Sequence, residues 1–461
     1  MDLLLDVNNI LDFPEEERPR LAWLVKEFRS HKVANDKKQR YYEGRIPLGT
    51  VNLGIALPDT LKSLEIGCAW GAKTVDVLAA RSMFDGFVGA NGQDVPDLDK
   101  IVEDNDLITA YEKACRDELE YGCDFATLSG DGNGAKIRFH SPQTASAHWN
   151  GELGRIDFGF AVIATEVKDE VVRPTLINYM TDDAIYVLTR VQNSDAWKAD
   201  KHTHKMGRIL MEPLTWNATS NKPFGRSRIK EPVRRLIDGY VRTMANATIG
   251  LEFATSPQKY LLGVTDEQYD AVVNAKFQQY VGSILTSTNN PETGEKPTFG
   301  QLSQGSLTPH VEMLRMLATQ FSAATGLSVT DTGVVNDANP TSSDAILAQS
   351  QTLVCMAEQL NSGNGNSLKN IAIMALAIKN DKTFDEVASD TDIVAHFKNP
   401  AMPSVAMTAD AAIKIASARQ AFASTDTFLE MIGFDKADIR RIKSQEQKTR
   451  GLEVLDEIGV E

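Results

Sequence analysis

The sequence has 461 residues, of which 42% are hydrophobic and 24% are charged. This is an ordinary globular composition, and it excludes a chain that is disordered throughout. Lys and Arg together number 48 against 63 Asp and Glu, for a net charge of −15, which argues against a protein that grips nucleic acid by neutralising phosphates but leaves room for one that touches DNA without holding it.

Hydrophobic spacing predicts a chain that is mainly helical, with one antiparallel β region. Apolar residues that recur every three or four positions predict helices in the first quarter of the chain: 15–40, 72–84 and 107–121. From residue 122 to residue 211, period-two alternation and β-branched residues predict strands instead: 123–128, 136–140, 158–165, 174–178 and 184–190. The predicted fold class is therefore α+β.

The second half of the chain returns to helical spacing. Helices are predicted at 226–250, at 309–325, from Thr341 onward and at 368–378, and the segment after residue 408 is alanine-rich, charged and helical. Thr341 and Asp344 form a T-x-x-D capping signature. Turn formers at Ser362-Gly363-Asn364-Gly365 predict a break in the long helix that begins at Thr341.

One motif suggests an enzyme. Leu64-Glu65-Ile66-Gly67-Cys68-Ala69-Trp70-Gly71 resembles the first motif of methyltransferases, which bind S-adenosylmethionine at a strand-to-helix turn. The middle glycine is replaced by Ala69, and the preceding Thr60–Leu64 is too polar for a central parallel strand. A methyltransferase is therefore the alternative interpretation and not the main one.

No other group of residues predicts catalysis, a cofactor or a metal site. His202 and His204 would share a face on a strand, but no third ligand accompanies them in the sequence. No nucleophile is spaced with a base in a way that predicts covalent catalysis. The longest apolar run, Ile371–Ile378, is far shorter than the roughly 20 residues of a membrane helix, so no membrane partner is expected.

Positive charge is concentrated in one segment. Residues 226–259 hold seven Lys or Arg and three acids, and four of these cations crowd its first part: Arg228, Lys230, Arg234 and Arg235. Pairs at i, i+4, such as Glu231 with Arg235, would neutralise part of this charge. Such pairs are weak and leave Arg228 and Lys230 free, so a DNA-facing helix and a plain solvated helix are both open at this point.

Residues 327–340 are rich in turn formers and cannot continue either neighbouring helix. The middle of this loop contains Val334, Val335, Asn336, Asp337 and Asn339. Two adjacent valines are unusual in a solvent loop, and a carboxylate would prevent adhesion to a polyanion. Since Met316 to Leu368 contains no Lys or Arg, the loop could face a polyanion that slides past; the plain alternative is a surface loop.

Three motifs, in this order, resemble the portal proteins of tailed bacteriophages, of the siphovirus-like type. They are Tyr41-Tyr42-Glu43-Gly44, then a pattern that runs from Trp70 through Val75, Asp76, Leu78 and Arg81 to Gly86-Phe87, and then Pro223-Phe224-Gly225-Arg226-Ser227-Arg228-Ile229. The resemblance implies a portal fold with the antiparallel β region in its wing. The implied parts are a wing at 1–225, a first stem helix at 226–255, a clip at 256–305, a second stem helix at 306–326, a tunnel loop at 327–340, a long wing helix with a following helix at 341–407, and a crown at 408–461.

The resemblance also implies a function without catalysis. Portal proteins form a ring, usually a dodecamer, at one capsid vertex, and double-stranded DNA enters and leaves through its channel. The implied partners are the terminase large subunit, the major capsid and scaffolding proteins and a head-completion or adaptor protein. The implied locations are the virion and, during assembly, the host cytoplasm. The tunnel loop would contain Val334, Val335, Asn336, Asp337 and Asn339, and the stem would present Arg228, Lys230, Arg234 and Arg235 to the channel. The clip would dock terminase or adaptor through Asn290, Glu292, Glu295 and Lys296.

Overall fold

The computed structural model describes residues 3, 5–47, 65–89, 96–130, 132, 134–168, 170–191, 194–255, 259–262, 294, 298–301, 306–333, 343–401, 405–434 and 436–458. The chain divides into two compact units, Met1–Lys398 and Asn399–Glu461. Of the described residues, 52% are helical and 25% are in strands, so the predicted mixture of helix and sheet, with helix the larger part, is confirmed.

The helices of the first unit are distributed along its whole length. They are α1 (Arg18–Glu43), α2 (Trp70–Ala79), α3 (Pro96–Asp104), α4 (Leu107–Tyr121), α5 (Glu231–Thr255), α6 (Thr308–Thr325), α7 (Ser343–Asn380) and α8 (Phe384–Asp390).

The strands form one large sheet and several small ones. They are β1 (Ile10–Leu11), β2 (Arg45–Pro47), β3 (Glu65–Gly67), β4 (Phe84–Gly89), β5 (Cys123–Gly130), β6 (Ala135–His140), β7 (Ala145–Asn150), β8 (Arg155–Lys168), β9 (Val171–Met180), β10 (Ala184–Arg190), β11 (Trp197–Thr203), β12 (Met211–Thr215), β13 (Lys259–Leu262), β14 (Thr298–Gln301) and β15 (Ile393–Phe397). The large sheet has the order β1-β11-β10-β9-β8-β7 and is antiparallel except for the β1–β11 pair. The smaller sheets are β12-β5-β6 and the pairs β15-β4, β13-β14 and β2-β3.

Two hydrophobic cores hold the first unit together. In the smaller core, buried residues of α1 pack against the large sheet, and the rings of Phe28 and Phe160 lie 5.7 Å apart. In the larger core, α4 and α7 pack against the three-stranded sheet, and Leu119 and Ile371 are fully buried there. Removal of such apolar side chains from water is the main stabilisation of both cores.

Helix α5 begins five residues later than the sequence predicts. The backbone N–H groups of Arg226 and Arg228 donate to the carbonyl oxygens of Trp216 and Leu119, both at 2.9 Å. These bonds hold the segment extended, and α5 starts only at Glu231, with Pro232 in its first turn. The prediction of a helix from residue 226 is therefore wrong at its start.

The long helix α7 runs through the predicted break. Residues Ser343–Asn380 form one continuous helix that includes Gly363 and Gly365. The buried Asn364 explains this, because its Nδ2 atom donates to Glu118 Oε2 at 2.7 Å and to the Tyr111 hydroxyl at 2.9 Å. Tertiary contacts of this kind override a weak helix propensity.

The second unit is helical, as predicted for the segment after residue 408. It contains α9 (Val405–Ala418), α10 (Asp426–Ile432) and α11 (Lys436–Ile458). The Thr425 hydroxyl accepts the N–H of Phe428 at 3.3 Å and so caps α10. Lys443 of α11 pairs with Asp426 at 2.6 Å, which joins the last two helices.

Candidate functional site

A junction of aromatic rings joins α2 to the two helices that flank residues 256–305. The Trp70 ring stacks on Phe321 of α6, with centroids 4.6 Å apart, and lies 4.7 Å from the Tyr240 ring of α5. The indole Nε1 donates to the carbonyl oxygen of Thr332 at 3.1 Å. We call Trp70, Arg228, Tyr240, Phe321 and Thr332 the helix junction; it fixes Thr332, which lies within the predicted tunnel loop at 327–340, to α2.

Arg228 belongs to this junction and does not reach a surface. It is 6% exposed, its Nε donates to the Thr74 carbonyl oxygen at 2.5 Å, and its Nη2 donates to that of Thr325 at 2.8 Å. Burial lowers the pKa of the guanidinium to about 10. The expectation that Arg228 faces DNA is therefore corrected, because its donors are used inside the subunit.

The other three cations lie in different surroundings. Lys230 is exposed, and Arg234 is half-buried with its Nη1 donating to the Ile229 carbonyl oxygen at 2.7 Å. Arg235 is exposed and pairs with Glu231 at 3.1 Å, which is the i, i+4 pair that the sequence predicts. Of the four cations, only Lys230, Arg234 and Arg235 can act outside the subunit.

A groove of about 750 Å³ lies beside the start of α5, between α1 and β7. Aromatic residues form part of its wall, and the rings of Phe224 and Trp149 are 6.1 Å apart. Trp23 is 42% exposed at the groove. Five cations also line the groove: Lys38, Lys222, Arg226, Lys230 and Arg234.

The sequence did not predict this groove, because its residues come from four separate segments. Lys222 and Arg226 are near each other in the chain, but Lys38 and Trp23 are far from both. The one local signal is Trp23, a large apolar residue on the outer side of α1, where a polar residue is expected.

The proposed clip and tunnel-loop residues lie outside the described part of the chain. These are Asn290, Glu292, Glu295 and Lys296, and Val334, Val335, Asn336, Asp337 and Asn339. The structure describes the segments on either side of these residues. The antiparallel ribbon β13–β14 joins Lys259–Leu262 to Thr298–Gln301, and the helices α6 and α7 precede and follow the loop.

The methyltransferase-like motif has a structural role. Glu65–Gly67 pairs antiparallel with Arg45–Pro47, whereas a cofactor turn of this type follows a parallel strand. A Cβ atom on Gly71 would lie 1.8 Å from the carbonyl oxygen of Tyr41. Gly71 therefore lets α2 approach the end of α1 closely. This close packing explains the glycine without a bound cofactor.

The described residues contain neither a metal cluster nor a membrane-spanning helix. Among them, no cluster of three or more His, Cys, Asp or Glu is arranged to hold a metal ion. None of the helices described there combines the length and apolarity needed to cross a bilayer.

A family model described as "Phage portal protein, SPP1 Gp6-like" matches residues 21–451. Among solved structures, a chain of "Virion of native gene transfer agent (GTA) particle" is 13% identical, with a TM-score of 0.46 over 79% of this chain and 89% of that one. A chain of "Neck of native GTA particle computed with C12 symmetry" is 12% identical, with a TM-score of 0.44 over 79% and 89%. A chain of "Neck of empty GTA particle computed with C6 symmetry" is 12% identical, with a TM-score of 0.45 over 79% and 90%. No curated protein matches. These TM-scores are low, and the family assignment rests on the family model.

Proposed function

Because the chain belongs to the SPP1 Gp6-like phage portal protein family, we propose that it forms a ring, a dodecamer, at one vertex of a capsid. Double-stranded DNA would enter through the ring during packaging and leave during ejection. The protein acts in the virion and, during assembly, in the host cytoplasm. The family match over residues 21–451 is the observation that carries this proposal.

The helix pair α5 and α6 supports the assignment of a stem and a clip. The two helices flank residues 256–305, and the β13–β14 ribbon joins the two ends of that segment. We assign α5 and α6 to the stem and the intervening segment to the clip. Its residues Asn290, Glu292, Glu295 and Lys296 would dock the terminase large subunit and later the head-completion or adaptor protein.

Two further parts follow from the same assignment. Residues 327–340 would be the tunnel loop, because they connect α6 to α7. The wing would contact the major capsid and scaffolding proteins, and helices α9 to α11 would belong to the crown.

We assign the DNA-facing cations of the stem to Arg235 and Arg242. Both are exposed, and they are seven residues apart on α5, so they lie on one face two turns from each other. Within the described residues Arg242 has no ion pair. Lys230 and Arg234 instead line the groove beside α1.

The proposed function involves no catalysis, and the methyltransferase alternative is not retained. Its motif lies in an antiparallel pair and at a close helix contact. The channel would act by shape and charge. A net charge of −15 fits a channel wall that does not hold DNA by counterion release.

The mass of the purified protein tests the proposal. A dodecamer of 50.6-kDa subunits has a mass of about 600 kDa, which size-exclusion chromatography with light scattering resolves from smaller species. A ring of this class supports the portal role, and negative-stain images should show a central channel. A stable monomer that binds S-adenosylmethionine would contradict the proposal and favour the methyltransferase.

A further inference from the structure

The groove between α1 and the start of α5 carries a net positive charge. Five Lys or Arg line it against two carboxylates, Glu27 and Glu231, and Glu231 is paired with Arg235 at 3.1 Å. The Lys38 ammonium donates to the Tyr121 carbonyl oxygen and to Asn35, at 2.8 and 3.0 Å. Both of these acceptors are uncharged, and Glu120 is an acidic neighbour that offsets part of the Lys38 charge.

Among the residues that the structure describes, the outer cations of the groove have no counter-ion. Within the described part of the chain, Lys222 and Arg226 form no ion pair, and both are exposed. Together with the exposed Trp23 they make a surface that is both aromatic and cationic. A partner for such a surface would carry an apolar side chain surrounded by carboxylates.

The same chain presents that complement at the α3–α4 turn. Glu103, Asp104 and Asp106 are exposed there, and none of them forms an ion pair within the described residues. Ile108, at the start of α4, is 39% exposed beside them. We call Glu103, Asp104, Asp106 and Ile108 the acidic turn.

Asn105 holds the acidic turn rigid. Its Nδ2 donates to the carbonyl oxygens of Ile101 and Ala135, both at 3.0 Å, and its Oδ1 accepts the N–H of Ile137 at 2.9 Å. The turn is thus fixed to strand β6. A surface that is already ordered loses little conformational entropy when it binds.

The groove and the acidic turn lie at opposite ends of one helix. Ile108 is near the start of α4 and Tyr121, a lining residue of the groove, is its last residue. At 1.5 Å per residue the two ends are about 20 Å apart, so one subunit cannot fill its own groove with its own turn. Two different complementary patches on one chain are what a head-to-tail contact in a ring requires.

We propose that, in the ring assigned above, the acidic turn of each subunit docks in the groove of the next subunit. This inference rests on the proposed ring and names one of its subunit contacts. Ile108 packs against Trp23 of the neighbour, and the carboxylates face Lys222 and Arg226. Each subunit uses both patches, one toward each neighbour, so every copy of the contact is satisfied when the ring closes.

Charge reversal on each side tests the contact. The groove variant is Lys222→Glu with Arg226→Glu, and the turn variant is Glu103→Lys with Asp104→Lys. All four positions are exposed, and the Asn105 bonds are kept, so both variants should fold like the parent by circular dichroism. Each alone should raise the protein concentration for half-maximal ring assembly at least tenfold, as measured by light scattering.

Combining the two sets of substitutions distinguishes loss of the contact from damage to the subunit. A chain with all four substitutions should assemble again, because the reversed charges again attract. An equimolar mixture of the two variants should also form even-membered rings in which the two chains alternate, whereas neither variant does so alone. Glu152→Lys with Asp200→Lys, which changes the net charge as the turn variant does, should assemble like the parent.

Several results would overturn the inference. One is normal assembly of both reversed variants; another is failure of both the four-substitution chain and the mixture to recover. If the groove variant loses DNA binding but not assembly, while the turn variant loses neither, the groove binds DNA and not a second subunit. If the parent itself forms no ring, the proposed function fails first, and that result is distinct from all of these.

Discussion

At the scale of single residues, Arg228 shows how a cation is buried with no counter-ion among the described residues. One of its acceptors is the carbonyl oxygen of Thr325, the last residue of α6, where the helix dipole favours positive charge. Its guanidinium also lies 5.7 Å from the Trp216 ring centroid. With a pKa of about 10 the group remains protonated at neutral pH, so all its bonds are charge-assisted.

Replacing Arg228 by Met should destabilise the protein by at least about 2 kcal/mol, because buried carbonyl oxygens of Thr74 and Thr325 lose their donors. The matched control is Arg235→Met, which removes one exposed ion pair and should cost less than about 1 kcal/mol. Thermal and urea unfolding followed by circular dichroism measure both. Equal losses in the two variants would show that the buried bonds contribute nothing.

Glu118 predicts a pH dependence of stability. Its carboxyl is completely buried on α4, which raises its pKa to about 8 from an ordinary value of 4.5. Between these values the unfolded chain releases a proton that the folded chain retains. Stability from this group is therefore full below about pH 4.5 and falls as the pH rises toward 8, by up to about 1.4 kcal/mol per pH unit.

The substitution Glu118→Gln should remove this loss while its Oε1 still accepts from Asn364. The difference in melting temperature, variant minus parent, should therefore grow steadily from about pH 5 to about pH 8. Glu358→Gln, at an exposed position of α7, is the matched control and is measured over the same pH range. Parallel curves for the parent and Glu118→Gln would mean that Glu118 is already ionised in the folded protein.

At the scale of elements, a spacing pattern confined to one segment was sufficient to predict a helix or strand. Contacts between distant segments could not be predicted in this way. Helix α4 and strand β10 have the predicted bounds, since each shows its own spacing clearly. Phe84 was expected to end a helix but begins β4, whose partner β15 lies more than 300 residues away. The helix junction could not be predicted from the sequence either, because Trp70 and Phe321 come together only in the folded chain.

Gly71 gives a test of how α1 and α2 pack. Gly71→Ala would place a Cβ atom 1.8 Å from a backbone oxygen of Tyr41, so the helices must separate, at a cost of at least about 2 kcal/mol. Gly67→Ala, in the same motif, meets nothing within 4 Å and should change stability by less than about 0.5 kcal/mol. Chemical denaturation of the two variants decides between this packing role and a cofactor turn, in which both glycines would matter for ligand binding and neither for stability.

At the scale of the whole molecule, positive and negative charges form separate patches in addition to the overall excess of negative charge. The chain has a net charge of −15, yet the groove beside α1 is cationic and the α3–α4 turn is acidic. The sequence showed the net charge and the cationic segment, but only the fold forms the groove and places it and the acidic turn at opposite ends of α4. In a ring, each subunit also contributes one copy of every loop near the axis, so a single substitution there is multiplied by the number of subunits.

Asp337 is where this multiplication should have the largest effect on DNA. If residues 327–340 are the tunnel loop, Asp337→Lys replaces a ring of carboxylates by a ring of ammonium groups, which bind phosphates and release counterions. The variant should form rings of normal mass but retain packaged DNA differently, and the difference should shrink at high salt because screening weakens the attraction. Asp200→Lys, the same reversal on strand β11 of the large sheet, should package and eject DNA like the parent. The prediction is tested by measuring packaged DNA length and DNA ejection for both variants over a range of salt concentrations. If Asp337→Lys behaves like the control at every salt concentration, the loop does not form the constriction. The assignment of the segments after α6 must then be revised.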